Sequence, residues 1–129
     1  MENAELIAKA KALAYHRELS GECTGGGVAA AVLAESGNVY VGVSIDAACG
    51  IGFCAEHGAI AQMITQGESR IAKAVAVTHD GKIIPPCGRC RELMYQVNRG
   101  NLGTEVLLEG GRTVRLGELL PLRWQDAWT

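Results

Sequence analysis

The chain has 129 residues, 48% hydrophobic and 20% charged, with a formal net charge of −2. That length supports one core without disulfide help, so a single domain over residues 1–129 is expected. The near-balanced charge disfavours wrapping a nucleic acid, no stretch approaches the roughly 20 apolar residues that span a bilayer, and the N-terminal "MENAELIAKAKALAYH" lacks a secretory apolar region; a cytoplasmic protein acting on small molecules is the expectation.

In chain order, Leu6, Ile7, Ala10, Leu13 and Ala14 recur at helical spacing and predict a helix over 4–19 that ends near Ser20 and Gly21. Next, "GGGVAAAVLAESGNVYVGVSI" carries two apolar runs around "ESGN", the pattern of a hairpin. Residues 54–66 return to helical spacing and stop at Gly67. "IAKAVAVTH" reads as a buried strand closed by Asp80 and Gly81. The prolines of "PPCGRCRELMYQV" start another helix, after which "TEVLLEG" reads as a strand and "RTVRLGELLPLRW" as a short strand and a helical turn. Strands alternating with helices imply a layered α/β sandwich, its sheet mixed because the first strand pair is a hairpin.

Five cysteines, an odd number at irregular spacing, do not form a disulfide framework. Cys54, Cys87 and Cys90 instead fall at predicted helix N-termini, where free backbone N–H groups and the helix dipole favour thiolate over thiol. The i, i+3 spacing of Cys87 and Cys90 sets both on one face of a first turn. Zinc suits such ligands, accepting sulfur tetrahedrally at about 2.3 Å, and three protein ligands leave a fourth position open for water, as catalytic sites do. Glu56, two residues after Cys54, is then placed to shuttle protons without ligating the metal. A closed structural site, with Cys23 or Cys49 as a fourth sulfur, and a thiol redox pair are the alternatives. The order "CAE", about thirty residues, "PPCGRC" matches the zinc-deaminase signature in its three-cysteine form, where the glutamate is the acid/base.

Here the sequence resembles the cytidine deaminase family, and within it the branch containing blasticidin S deaminase. "VAAAVLAESGNVYVGVSID", "CAEHGAIA", "PPCGRCRELM" and "GELLPLRW" are similar to its hairpin, its two zinc helices and its C-terminal ending. The resemblance implies a three-layer α/β/α sandwich, one zinc per subunit, a homotetramer, and hydrolysis of a 4-aminopyrimidine to the 4-oxo form with loss of ammonia. It assigns the Ala55 N–H to the base carbonyl and Glu56 to the ring nitrogen N3. Many three-cysteine members carry an arginine directly after the glutamate to offset thiolate charge; His57 stands there, so Arg89 within "CGRC" is the candidate for that task. The sugar-facing positions fall on Ser44 and Asp46, both shorter than the usual asparagine and glutamate, and a base-stacking aromatic aligns with Gly26. A widened pocket that holds plain cytidine weakly is therefore expected, with Phe53 and Trp124 available to replace the lost contact. Arg91, His16 and His79 carry no assigned chemistry. Deamination of an antibiotic of blasticidin type and a non-catalytic zinc-binding module remain as alternatives, and nucleic acid substrates are disfavoured by the acidic balance.

Overall fold

The computed structural model describes residues 1–128. Helix α1 (Asn3–Lys11) precedes β1 (Arg17–Ser20), β2 (Cys23–Ala34) and β3 (Val39–Ala47); α2 (Ala55–Thr65), β4 (Ile71–Thr78), β5 (Ile83–Ile84) and α3 (Gly88–Val97) follow. Strands β6 (Glu105–Leu107) and β7 (Thr113–Arg115) and the short α4 (Leu116–Leu119) complete the regular elements. Strand β2 is the hub: β3 pairs along one edge, while β1 and β4 share the other. Beyond β4 lie β5 and β6, then β7. The β4–β6 pair is parallel and the others are antiparallel, which makes the sheet mixed.

Period-two alternation along β2 divides the molecule into layers. Ala31 and Leu33 face α1 and pack with Leu6, Ala10, Val75 and Val77. Val32 and Ala34 face α2 and α3, joining Ile60, Met63, Cys90, Met94 and Val106. Each large aliphatic chain buried this way contributes about 1.5–3 kcal/mol. The α/β/α sandwich is thus observed, and β4 reads as a nearly continuous apolar run because both of its faces are covered.

The first helix is shorter than predicted. It stops at Lys11, and Arg17–Ser20 is strand. The Arg17 guanidinium explains the change of direction: it donates to the carbonyls of Leu13 (3.1 Å) and Tyr15 (3.0 Å) and lies 3.6 Å from the Tyr15 ring centroid. Pairing of residues 17–20 with Cys23–Gly25 then outweighs their helical spacing.

Two contacts set the position of the functional end of the sheet. A Cβ at Gly42 on β3 would sit 2.5 Å from both the Ala55 carbonyl and the Ala59 nitrogen, so glycine lets α2 lie directly on the strand. Asn101, fully buried, accepts from the Ile71 N–H (2.8 Å) and donates to the carbonyls of Ser69 (3.0 Å) and Met94 (2.9 Å), tying α3 to the start of β4.

Candidate metal centre and substrate cavity

Helices α2 and α3 begin side by side, with Cys54 capping one and Cys87 the other. Cys54 Sγ is 3.3 Å from Cys87 Sγ, which is 3.5 Å from Cys90 Sγ. Tetrahedral ligands at about 2.3 Å would stand about 3.8 Å apart, so little adjustment is needed for one zinc ion to sit among the three sulfurs. His57, one turn after Cys54, places Nδ1 3.8 Å from Cys90 Sγ, and Cys54, His57 and Cys90 also form a group compact enough to hold a metal. Cys23 and Cys49 do not join that group among the described residues.

The three thiols differ in environment. Burial pushes Cys90, fully buried, far up, and raises Cys54 less. Cys87 also feels burial, but the backbone N–H of Cys90, the Cys54 and Cys90 thiols and the Arg89 N–H outweigh it and bring the thiol below its ordinary value. Glu56, only 5% exposed, is backed by Ala74, Ala76, Pro86, Met94 and Val106. Burial raises its carboxyl above the usual carboxylate range, and its own backbone N–H and the Cys90 thiol offset part of that rise. A carboxyl moved toward neutrality suits a group that must both take and give a proton. His57 moves the other way, lowered by burial and then by the Arg89 charge.

A cavity of about 360 Å³ opens beside the cluster, lined by Val28, Ser44, Asp46, Phe53, Cys54, Ala55 and Arg89 among others. Its wall is held by paired hydrogen bonds between Ile45 and Phe53, 2.9 and 3.0 Å, and by the Val28 N–H donating to Ser44 Oγ at 3.0 Å. Of the residues assigned to the substrate, Ser44, Asp46, Phe53 and Ala55 line this one cavity, and Arg89 lines it with them. Glu56, the residue after Ala55, does not line this cavity and faces a separate recess with Ala74, Pro86 and Met94.

Gly26 and Trp124 are not brought there. Gly26 is buried at φ +90°, and a Cβ on it would stand 2.1 Å from the Tyr15 carbonyl oxygen, so no aromatic fits. An irregularity in the β2–β3 register between Gly25 and Ala29 displaces the expected alignment, and Val28 lines the cavity instead. Trp124 is 62% exposed in a C-terminal helical turn and is absent from the lining. The side chain of Arg89, the residue assigned to thiolate compensation, is placed differently from that of His57. Arg89 is exposed and lines the cavity, and among the described residues no hydrogen bond joins it to a sulfur, whereas the His57 ring approaches one. Sequence reasoning passed over Arg91, which donates to the carbonyls of Pro86 (2.8 Å) and Leu119 (3.1 Å) and so fixes the approach to α3. The prolines before α3 were the available hint, since proline carbonyls still accept.

A sulfur cluster spaced for zinc, with a buried carboxyl against Cys90 and a cavity lined by Cys54, defines a zinc-dependent deaminase. Residues 1–103 match the cytidine and deoxycytidylate deaminase zinc-binding region, and the chain belongs to that family. It is 32% identical over 96 residues to a cytidine deaminase of Mycobacterium tuberculosis, covering 73% of this chain and 69% of that one. It is 31% identical over 109 residues to a blasticidin-S deaminase of Bacillus cereus, with coverage of 75% and 76%. Crystal structures of cytidine deaminases from M. tuberculosis (TM-score 0.80, 25% identity, 96% and 98% covered) and Burkholderia pseudomallei (0.75, 30%, 95% and 98%) share the fold.

Proposed function

We propose that this enzyme hydrolyses the ring amino group of cytidine or a related aminopyrimidine nucleoside, releasing ammonia, with Cys54, Cys87 and Cys90 as the zinc ligands. The observation that carries this reading is the Glu56 carboxyl, buried against the Cys90 thiol one residue after Ala55 of the cavity lining. When bound, zinc supplies a Lewis acid that makes water nucleophilic near neutral pH.

The remaining tasks fall to the chain. Ala55, at the start of α2, has a backbone N–H that the helix itself does not use, and it can donate to the base carbonyl. Glu56 takes one proton from water and delivers it to the ring nitrogen, then takes the second proton from the hydroxyl added at the amine-bearing carbon and delivers it to the departing amine, so the carboxylate ends as it began. Phe53 offers its face to the base, while Ser44 and Asp46 meet the sugar hydroxyls. The His57 ring and the backbone N–H groups of Arg89 and Cys90 share stabilisation of the sulfurs.

Exposed Ile51, Leu122, Trp124 and Trp128 support assembly into a homotetramer through apolar surface, and a cytoplasmic location is part of the same proposal. Among the described residues, no helix is long and apolar enough to cross a membrane. A second reading, deamination of a nucleoside antibiotic of blasticidin type, is favoured by the similarity to the B. cereus enzyme. Ammonia release by zinc-loaded protein from cytidine, deoxycytidine, blasticidin S and free bases tests both. Release from none of them would contradict the deaminase reading.

A further inference from the structure

Arg89 stands on the first turn of α3 between two cluster cysteines, and its exposed side chain lines the cavity. No hydrogen bond or ion pair engages its guanidinium among the described residues, although the other arginine of that turn, Arg91, is bound to two carbonyls. Asp46, lining the same cavity from β3, is likewise unpaired, and the two are not within ion-pair distance of each other. With His57 approaching Cys90, the sulfurs already have a ring partner. A cation and an anion thus line one cavity without pairing with each other.

We propose that Arg89 binds an anionic oxygen group on the substrate, so that the enzyme prefers aminopyrimidines carrying a carboxylate or phosphate over unmodified ones. This inference rests on the deaminase reading for the orientation of the substrate. The carbon that loses the amine must approach the cysteine end, where Arg89 stands, and the sugar then lies toward Ser44 and Asp46. A ring-borne carboxylate meets the guanidinium fork, whereas a sugar phosphate is held toward the Asp46 charge. The ring-borne group is therefore favoured. Arginine suits this task because its planar donors match carboxylate and phosphate two bonds at a time.

The test compares binding of uridine, 5-carboxyuridine and uridine 5′-monophosphate to the zinc-loaded protein by titration calorimetry, alongside deamination of the corresponding cytidine compounds. The 5-carboxy compound should bind about 10 to 100 fold more tightly than uridine, an advantage that weakens with added salt. Arg89→Gln should abolish that ratio and Arg89→Lys should restore part of it, while retention of zinc against a chelator stays unchanged. Preference for the 5′-monophosphate, lost in Arg89→Gln, would assign the anion to the sugar. Equal binding of all three ligands, or a ratio unaltered in Arg89→Gln, would overturn the proposal. Cytidine turnover without any anion preference would refute the role of Arg89 alone; absence of ammonia from every compound would refute the deaminase reading, and the binding ratios would still decide the role of Arg89.

Discussion

The two sides of the cavity are built differently. On the helix side, Ala55, Glu56 and Cys90 are buried, α2 lies directly on β3, and Ile60, Met63 and Met94 pack behind them. On the strand side, Asp46, Cys49, Gly50, Ile51 and Phe53 are exposed, and Cys49 adopts a left-handed φ of 62°. Chemistry needs groups held within fractions of an ångström, and dense packing provides that hold. Substrate choice needs surface that can vary, and the exposed rim provides it without disturbing the core.

The sharpest break in this comparison should come from Glu56→Gln. The amide keeps the shape but cannot move a proton, so turnover should fall by about 10² to 10⁴ while zinc content and melting temperature change little. Steady-state kinetics with metal analysis would check it. Cys87→Ala should act on the other half of the helix side, with zinc lost on dialysis and the melting temperature lowered, as metal analysis and calorimetry would record.

Gly26→Phe should destabilise the protein by about 3 kcal/mol, since it sets a side chain against the Tyr15 carbonyl at a positive φ. Improved cytidine use by this variant, the outcome expected from alignment alone, would return Gly26 to the cavity. Gly42→Ala should cost about 2 kcal/mol in denaturant melts by lifting α2 off β3, with weaker zinc retention as a consequence.

The smallest effect lies away from both sides. Glu68 accepts from Tyr40 and, at 3.0 Å, from Asn38, and hydrogen bonds from Ser36, Tyr40 and Asn38 lower its pKa. A depressed folded pKa means stability that is present above the ordinary glutamate range and lost as pH falls through the lowered value. Glu68→Gln should therefore reduce the fall in melting temperature on acidification, by an amount kept small by exposure to solvent.

The helix side was legible because its determinants are local. A cysteine capping a helix, a glutamate two residues later and a CxxC after two prolines each declare their place within a few residues. The strand side was not, because Gly26 and Phe53 take their positions from an irregular register and a bridge to Ile45 that depend on residues far along the chain. The end of α1 was lost for the same reason: Arg17 favours strand only once Cys23–Gly25 is beside it. His57 was visible as a departure from the arginine expected there, but its approach to Cys90 needed two helices in place.

The central claim is that three sulfurs hold zinc and leave one position for chemistry. X-ray absorption at the zinc edge of the purified protein measures this directly. The predicted shell is three sulfurs at about 2.3 Å and one oxygen or nitrogen at about 2.0–2.1 Å, unchanged in His57→Ala. A four-sulfur shell, or a two-sulfur shell in which a nitrogen disappears with His57, would contradict it.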